Sequence, residues 1–301
     1  MRKAYLQLHG AVLLAGLTGI LGRLITLNEL MIVCYRLLLT AITMWVIFSW
    51  RKAIHSIAGS TQLKILLAAV FAATHWLTFY GSIKYSNVSI ALVCFALVSF
   101  FTALLEPLIL RKRVNLIELA LGLVTLIGVY LIFHFDTRYK WGITLGVISA
   151  LFAALFPILN REILKKTNVE TLLVWQQSFG FIFILLLIPF YSLTMGAVRW
   201  VPTWTDAGWL LVLSWLCSVW AFQLSGAALQ KLSAFTVNLA FNLEPVYGIL
   251  LAFVVYREDQ LLSKWFYIGF SLIMAALLLH LLWMQQRKRQ MNDSLPVKTQ
   301  Q

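Results

Sequence analysis

The sequence predicts an all-α polytopic membrane protein: ten transmembrane helices arranged as two inverted five-helix repeats. The first observation is composition, with 61% hydrophobic and only 12% charged residues and a mean hydropathy of +0.86. A soluble domain of 301 residues could not cover that much apolar surface. The second is run length. A spanning helix needs about 20 mostly apolar residues, and the chain divides into continuous runs of that size. The alternating segments of about ten residues that build a membrane barrel do not occur. The third is a pair of segments of the same build. Residues 86–113 (SNVSIALVCFALVSFFTALLEPLILRKR) and 232–260 (LSAFTVNLAFNLEPVYGILLAFVVYREDQ) are each a long apolar helix with a Glu-Pro pair and a charged end, about 146 residues apart.

Ten spans are expected at roughly 4–22, 29–49, 63–83, 86–110, 114–133, 141–160, 169–191, 207–228, 232–256 and 262–284. The first follows Met1-Arg2-Lys3 without an obvious cleavage site, so it reads as a retained helix rather than a signal peptide. Its run Gly16-Leu17-Thr18-Gly19-Ile20-Leu21-Gly22 lets a neighbouring helix approach closely. The longest connection, around 192–206, contains Pro202 and the interfacial residues Trp200 and Trp204. Residues 285–301 read as a disordered cytoplasmic tail. Cys34, Cys94 and Cys217 all fall inside spans without CxxC or His spacing, so they read as small packing residues and not as disulfides or metal ligands.

Charge sets the orientation. With the N-terminus in the cytoplasm, the inner segments hold Arg2-Lys3, Arg51-Lys52, Arg111-Lys112-Arg113, Lys165-Lys166 and Arg287-Lys288-Arg289. The outer segments hold only scattered cations such as Arg23, Lys84 and Arg257. This bias places both termini inside, in the cell (inner) membrane. The net charge of +13 therefore orients helices, and no nucleic-acid partner is expected.

The repeat divides the chain into 4–133 and 141–284. Asn28 and Tyr35-Arg36 in the second span align with Asn168 and Trp175-Gln176 in the seventh; Gly10 aligns with Gly146, and Gly122 with Gly269. Five spans per half is an odd number, so the halves insert in opposite orientations. The basic turn 111–113 (RKR) and its acidic counterpart 257–259 (RED) agree with this. Inverted repeats place a substrate site near the midplane, where the halves meet.

These features resemble the EamA-type branch of the drug/metabolite transporter superfamily over residues 5–284. The resemblance rests on five plus five spans, the Tyr35-Arg36 pair, the Pro-bearing ninth span, and two patterns of long helix, charged turn and Gly-bearing helix at 99–128 and 245–275. It implies a secondary carrier of small organic solutes, exporting them through a central cavity with no ATPase. Ser99 stands where the family pattern has a proline midway along the fourth helix, and Pro107 lies further on.

Ionisable groups inside spans are costly and mark candidate sites. Glu244 lies about 12 residues from either end of the ninth span, or ~18 Å at ~1.5 Å per residue, at the bilayer centre. Pro245 cannot donate to the carbonyl of Phe241, so a kink is expected there. The carboxyl either binds a proton or substrate group, or packs as a protonated side chain against a neighbouring helix. Asn238 and Asn242 share a helix face and serve either a substrate or interhelical packing. Arg36 either holds an anionic substrate group or clamps loose backbone. Gln176, beside Trp175 and Gln177, takes its place in the other half as a neutral hydrogen-bonding wall. His75, next to Trp76 in the third span, is a proton shuttle or a satisfied core histidine. Glu106 lies near the cytoplasmic basic cluster, and Gln223 with Trp220 is a further cavity candidate in the eighth span.

Enzyme signatures are absent: there is no HExxH, GxSxG or Walker motif and no Cys/His cluster with metal spacing. No enzymatic activity, cofactor or metal is expected. The expected partners are a small-molecule substrate, the lipid bilayer and protons as a candidate coupling ion. The function expected is secondary transport of small organic metabolites such as amino acids or drugs by alternating access. An uncoupled facilitator, a membrane assembly protein and an intramembrane enzyme are the rivals. The sequence reveals neither substrate nor oligomeric state.

Overall fold

The computed structural model describes residues 2–111, 113–196, 198–229, 231–232 and 240–293. The described elements are α1 (Arg2–Leu24), α2 (Glu29–Trp50), α3 (Gly59–Tyr85), α4 (Val88–Phe95), α5 (Val98–Leu110), α6 (Leu116–Phe135), α7 (Lys140–Ile163), α8 (Val169–Met195), α9 (Trp204–Ser214), a π-helical turn (Trp215–Trp220), α10 (Ala221–Leu229), α11 (Glu244–Tyr256) and α12 (Lys264–Asp293), with single 3-10 turns at Thr137–Tyr139 and Glu258–Gln260. Among the described residues, nine helical stretches are long and apolar enough to cross a membrane, and Glu244–Tyr256 is a shorter apolar helix.

Short polar side chains start these helices by accepting from backbone N–H groups of the first turn, which have no partner within the helix. Asn28 accepts from Met31 N at 2.9 Å and Asn168 from Thr171 N at 3.1 Å. The two asparagines aligned between the halves are thus the caps of the second and seventh spans. Asn87 and Asn115 begin α4 and α6 in the same way, and Thr203 forms a reciprocal capping box with Asp206 on α9.

Three spans differ from the continuous helices expected. The fourth is divided into α4 and α5 by a turn at Ala96–Leu97, where Leu97 N bonds Cys94 O at 3.0 Å in place of the residue four back. Ser99 donates its hydroxyl to the Ala96 carbonyl at 2.9 Å, supplying a partner for backbone opened without a proline. The ninth span turns at Asn242–Leu243 and resumes helix at Glu244. Pro245 stands in the first turn of α11, where a missing N–H costs nothing. The expected kink is therefore a break, and Glu244 opens a half-helix rather than lying midway along a whole one. The eighth span contains the π turn. The last helix extends to Asp293, past the boundary placed at 284.

Helix packing follows the repeat. The first span packs on the ninth and on the eighth, and correspondingly the sixth packs on the fourth and on the third. The second span packs on the eighth as the seventh does on the third, while the second and seventh, the fourth and ninth, and the fifth and tenth pair with each other. Exchanging each span for the one five positions on maps this set onto itself, as a two-fold relation between halves requires. Two of these crossings are glycine contacts. A Cβ at Gly128 would stand 2.7 Å from Gly269 O, and one at Gly269 would meet Gly128 O. Gly16 of α1 and Gly248 of α11 oppose each other similarly, with Gly248 N 3.0 Å from a Cβ at Gly16.

One end of the bundle is tied by buried carboxylates. Glu258, fully buried, accepts from Arg23 and from Val88 N (3.1 Å), Ser89 N (2.8 Å) and Ser89 Oγ (2.6 Å). The turn after the ninth span therefore caps the start of the fourth and holds the end of the first. Asp206 accepts from Thr26 N and Thr26 Oγ1, both at 2.7 Å. Glu29 accepts from the Tyr191 hydroxyl at 2.9 Å. At the opposite end Arg161 of α7 pairs with Glu106 at 2.6 Å, so Glu106 takes part in an ion pair there.

Candidate functional site

The polar residues at the centre gather around Arg36. Its position on α2 turns the side chain inward, where it is 6% exposed. Nε donates to Ser218 Oγ at 3.1 Å and an Nη to the Tyr80 hydroxyl at 2.9 Å. The guanidinium lies over the Trp76 ring, 4.6 Å from its centroid, a stacking that an arginine provides and a lysine does not. Tyr80 and Trp76 project from α3, four residues apart and so on one face. Ser218 comes from the π turn. That extra residue per turn lets its hydroxyl donate to Leu213 O, five residues back, at 3.3 Å, while it accepts from Arg36. The clamp thus joins the second and third spans of one half to the eighth of the other.

Among the described residues the hydrogen-bond partners of Arg36 are neutral hydroxyls, and a buried guanidinium is expensive without a counter-charge. Glu244 is the acid at the centre of the other half, and no ion pair joins it to Arg36 among the described residues. The carboxyl is half-buried and opens α11, where a negative group is also favoured by the helix N-terminus. Asn242 lies in the turn before it, partly buried, and Asn238 lies outside the described residues. The break that carries Glu244 and the break at Ala96–Leu97 occupy corresponding places in the two halves, and α4 and α11 are in contact. Irregular backbone at membrane depth is tolerated only where protein or a cavity surrounds it.

His75 is next to this cluster but turned away into an aromatic box. Its Nδ1 lies 2.9 Å from Ser149 Oγ and 3.2 Å from Ser149 O, and the Ser149 hydroxyl donates to His75 O at 3.1 Å. Rings of Phe79, Phe95 and Phe156 pack around it. A carbonyl only accepts, so the Ser149 bond assigns the proton to Nδ1.

Trp175 and Gln176 belong to a separate group. Gln176, buried, accepts from Asn160 Nδ2 at 3.0 Å, and Trp175 packs edge-on against Trp45 at 5.6 Å. Trp45 lies two and a half turns beyond Arg36 on α2, so this group stands further along the bundle than Arg36. Gln223 is exposed on α10. Tyr80, Ser218, Ser149 and Asn160 are partners of the candidate residues that sequence reasoning passed over. A lone hydroxyl in an apolar helix gives no signal, since it bonds its own backbone in most cases.

The model of the EamA-like transporter family matches residues 2–134 and again 140–282. The chain belongs to that family. Each match covers one five-span half, so this EamA-like transporter carries the family unit twice, in line with the drug/metabolite transporter resemblance. An uncharacterized transporter of Archaeoglobus fulgidus is 27% identical over 233 residues, 74% of this chain and 78% of its own length. One from Haemophilus influenzae is 25% identical over 157 residues, 49% of this chain and 51% of its own. A solved crystal structure matches with a TM-score of 0.60 over 91% of this chain and 95% of its own, at 13% identity, a likeness of fold alone. The protein is accordingly a multi-pass membrane transporter.

Proposed function

We propose that this EamA-like transporter is a secondary carrier that exports a small organic metabolite, such as an amino acid or drug, by alternating access through a cavity between its halves. The observation that carries the reading is the pair of matched helix breaks, at Ala96–Leu97 and Asn242–Leu243, beside the Arg36 clamp that joins the halves. Interrupted helices in corresponding places of inverted repeats are where carriers bind substrate. In this reading Arg36 and Trp76 form the recognition face, Glu244 and Asn242 line the opposite break, and Glu244 is the coupling acid for protons. The halves 4–133 and 141–284 move against each other, with both termini in the cytoplasm of a cell whose inner membrane holds the protein. The export direction follows from the family resemblance.

The engagement of His75 with Ser149 inside its aromatic box favours a second reading, an uncoupled facilitator, because it leaves Glu244 as the central relay group among the described residues. Uptake of labelled amino acids and related metabolites into proteoliposomes, with and without a proton gradient, separates the two. Accumulation that follows the gradient supports the coupled carrier; equilibration without accumulation supports the facilitator. A chain that moves no member of a broad amino-acid, metabolite and drug panel would sink both.

A further inference from the structure

At the end of the bundle opposite Glu258, the corner between α5 and α6 encloses a crevice of about 780 Å³. Helix α5 stops at Arg111, whose backbone is left-handed, and the chain turns back through Arg113 and Asn115 into α6. Trp283 of α12 forms the third side. The walls carry charges of both signs: Arg113 at the rim, Glu106 in its ion pair with Arg161, and Glu118, which accepts from Asn115 Nδ2 at 2.8 Å.

The second half differs from the first at this corner. At the interval of 147 residues that relates Gly122 to Gly269, Glu118 corresponds to Trp265. Trp265 stacks on Phe135 at 3.9 Å and 11°, and a separate pocket of about 380 Å³ lies beside Phe253 and Arg257. A carboxylate in the first half therefore stands where the second half has a stacked ring. His280, one turn from Trp283, has its Nε2 buried with no hydrogen-bond partner among the described residues.

We propose that this crevice holds the headgroup of an aminophospholipid, its primary ammonium on Glu118 and its phosphate on Arg113. The site lies where the apolar lengths of α5 and α6 end, at headgroup depth, with Trp283 in the position that interfacial tryptophans favour. Leu116, which lines the crevice, is 75% exposed and Leu108 on α5 is 66% exposed, so apolar surface suited to acyl chains lies on the helices that form the site. A carboxylate and a guanidinium on one crevice match a zwitterion and give an anionic headgroup only one of its two contacts. This inference goes beyond the transport reading and does not depend on it.

The test is native mass spectrometry of the full chain released from micelles containing equal amounts of phosphatidylethanolamine and phosphatidylcholine. The two share a phosphate, and only the first has ammonium hydrogens to donate. Wild type is expected to retain phosphatidylethanolamine about tenfold over phosphatidylcholine, the value of one charge-assisted hydrogen bond. Glu118→Gln should bring the ratio near one, and Ala103→Trp, which fills the crevice, should abolish retention of both. Equal retention by wild type, or a preference unchanged in both variants, would overturn the proposal. Displacement of the lipid by millimolar phosphoethanolamine would assign the site to a free solute and overturn the lipid assignment.

Discussion

Leu97 and Leu243 close the same turn in opposite halves. Each donates its N–H to a carbonyl three residues back, Cys94 O and Ala240 O, at 3.0 Å; each accepts from a residue four ahead, Phe101 N at 3.0 Å and Tyr247 N at 3.1 Å. The helices that follow both end in a left-handed arginine, Arg111 at φ 51° and Arg257 at φ 52°. The repeat is therefore kept in backbone hydrogen bonding as well as in the leucine and the arginine at these positions.

Arg36→Lys should lower transport at least tenfold, because a lysine makes neither the fork to Ser218 and Tyr80 nor the stack on Trp76. Tyr80→Phe removes one hydrogen bond and should cost about 1 kcal/mol of stability. Initial transport rates in proteoliposomes and thermal melts in one detergent measure the two effects. Equal rates for Arg36→Lys and wild type would remove Arg36 from the recognition face.

Glu244→Gln should abolish any dependence of transport on the proton gradient while leaving exchange of substrate across the membrane intact. Counterflow assays without a gradient provide the second readout. Gradient-driven accumulation surviving in Glu244→Gln would exclude this residue as the coupling acid.

Glu258→Ala should destabilise the fold by about 3–5 kcal/mol, since it leaves Arg23 without its partner and uncaps α4. Glu258→Gln retains part of the hydrogen bonding and should fall between. Thermal unfolding of both variants beside wild type checks the order.

Gly128→Ala and Gly269→Ala should each cost about 1–3 kcal/mol by overpacking, because the new methyl meets a backbone carbonyl that cannot rotate aside. Gly59→Ala, where a Cβ would meet nothing within 4 Å, serves as the control in the same melting assay.

Much of this architecture is legible in the sequence because bilayer thickness sets helix length, and apolar runs report it directly. The alignment of Asn28 with Asn168 has the physical basis that both are helix caps. The break at Ala96–Leu97 has no such marker: neither residue is Gly or Pro, and Ser99 secures the turn through a hydroxyl. The π turn that presents Ser218 is equally silent, since one extra residue in a turn leaves composition unchanged. Glu258 reads as part of an acidic surface loop, whereas the 3-10 turn after Arg257 directs it into the protein. Arg36 and Glu244 stand out because charge is rare in these helices, but the Ser218, Tyr80 and Trp76 partners of Arg36 needed the fold.

The meeting of Gly16 with Gly248 has a mechanical consequence. Helices that cross through interlocked side chains resist rotation as meshed teeth do, because each ridge must climb out of its groove. Where two glycines face each other there are no teeth, and the backbones bear directly on one another. The crossing of α1 and α11 is built as a bearing, one turn from Glu244, so a tilt of either helix there swings its distant ends while moving the carboxyl least.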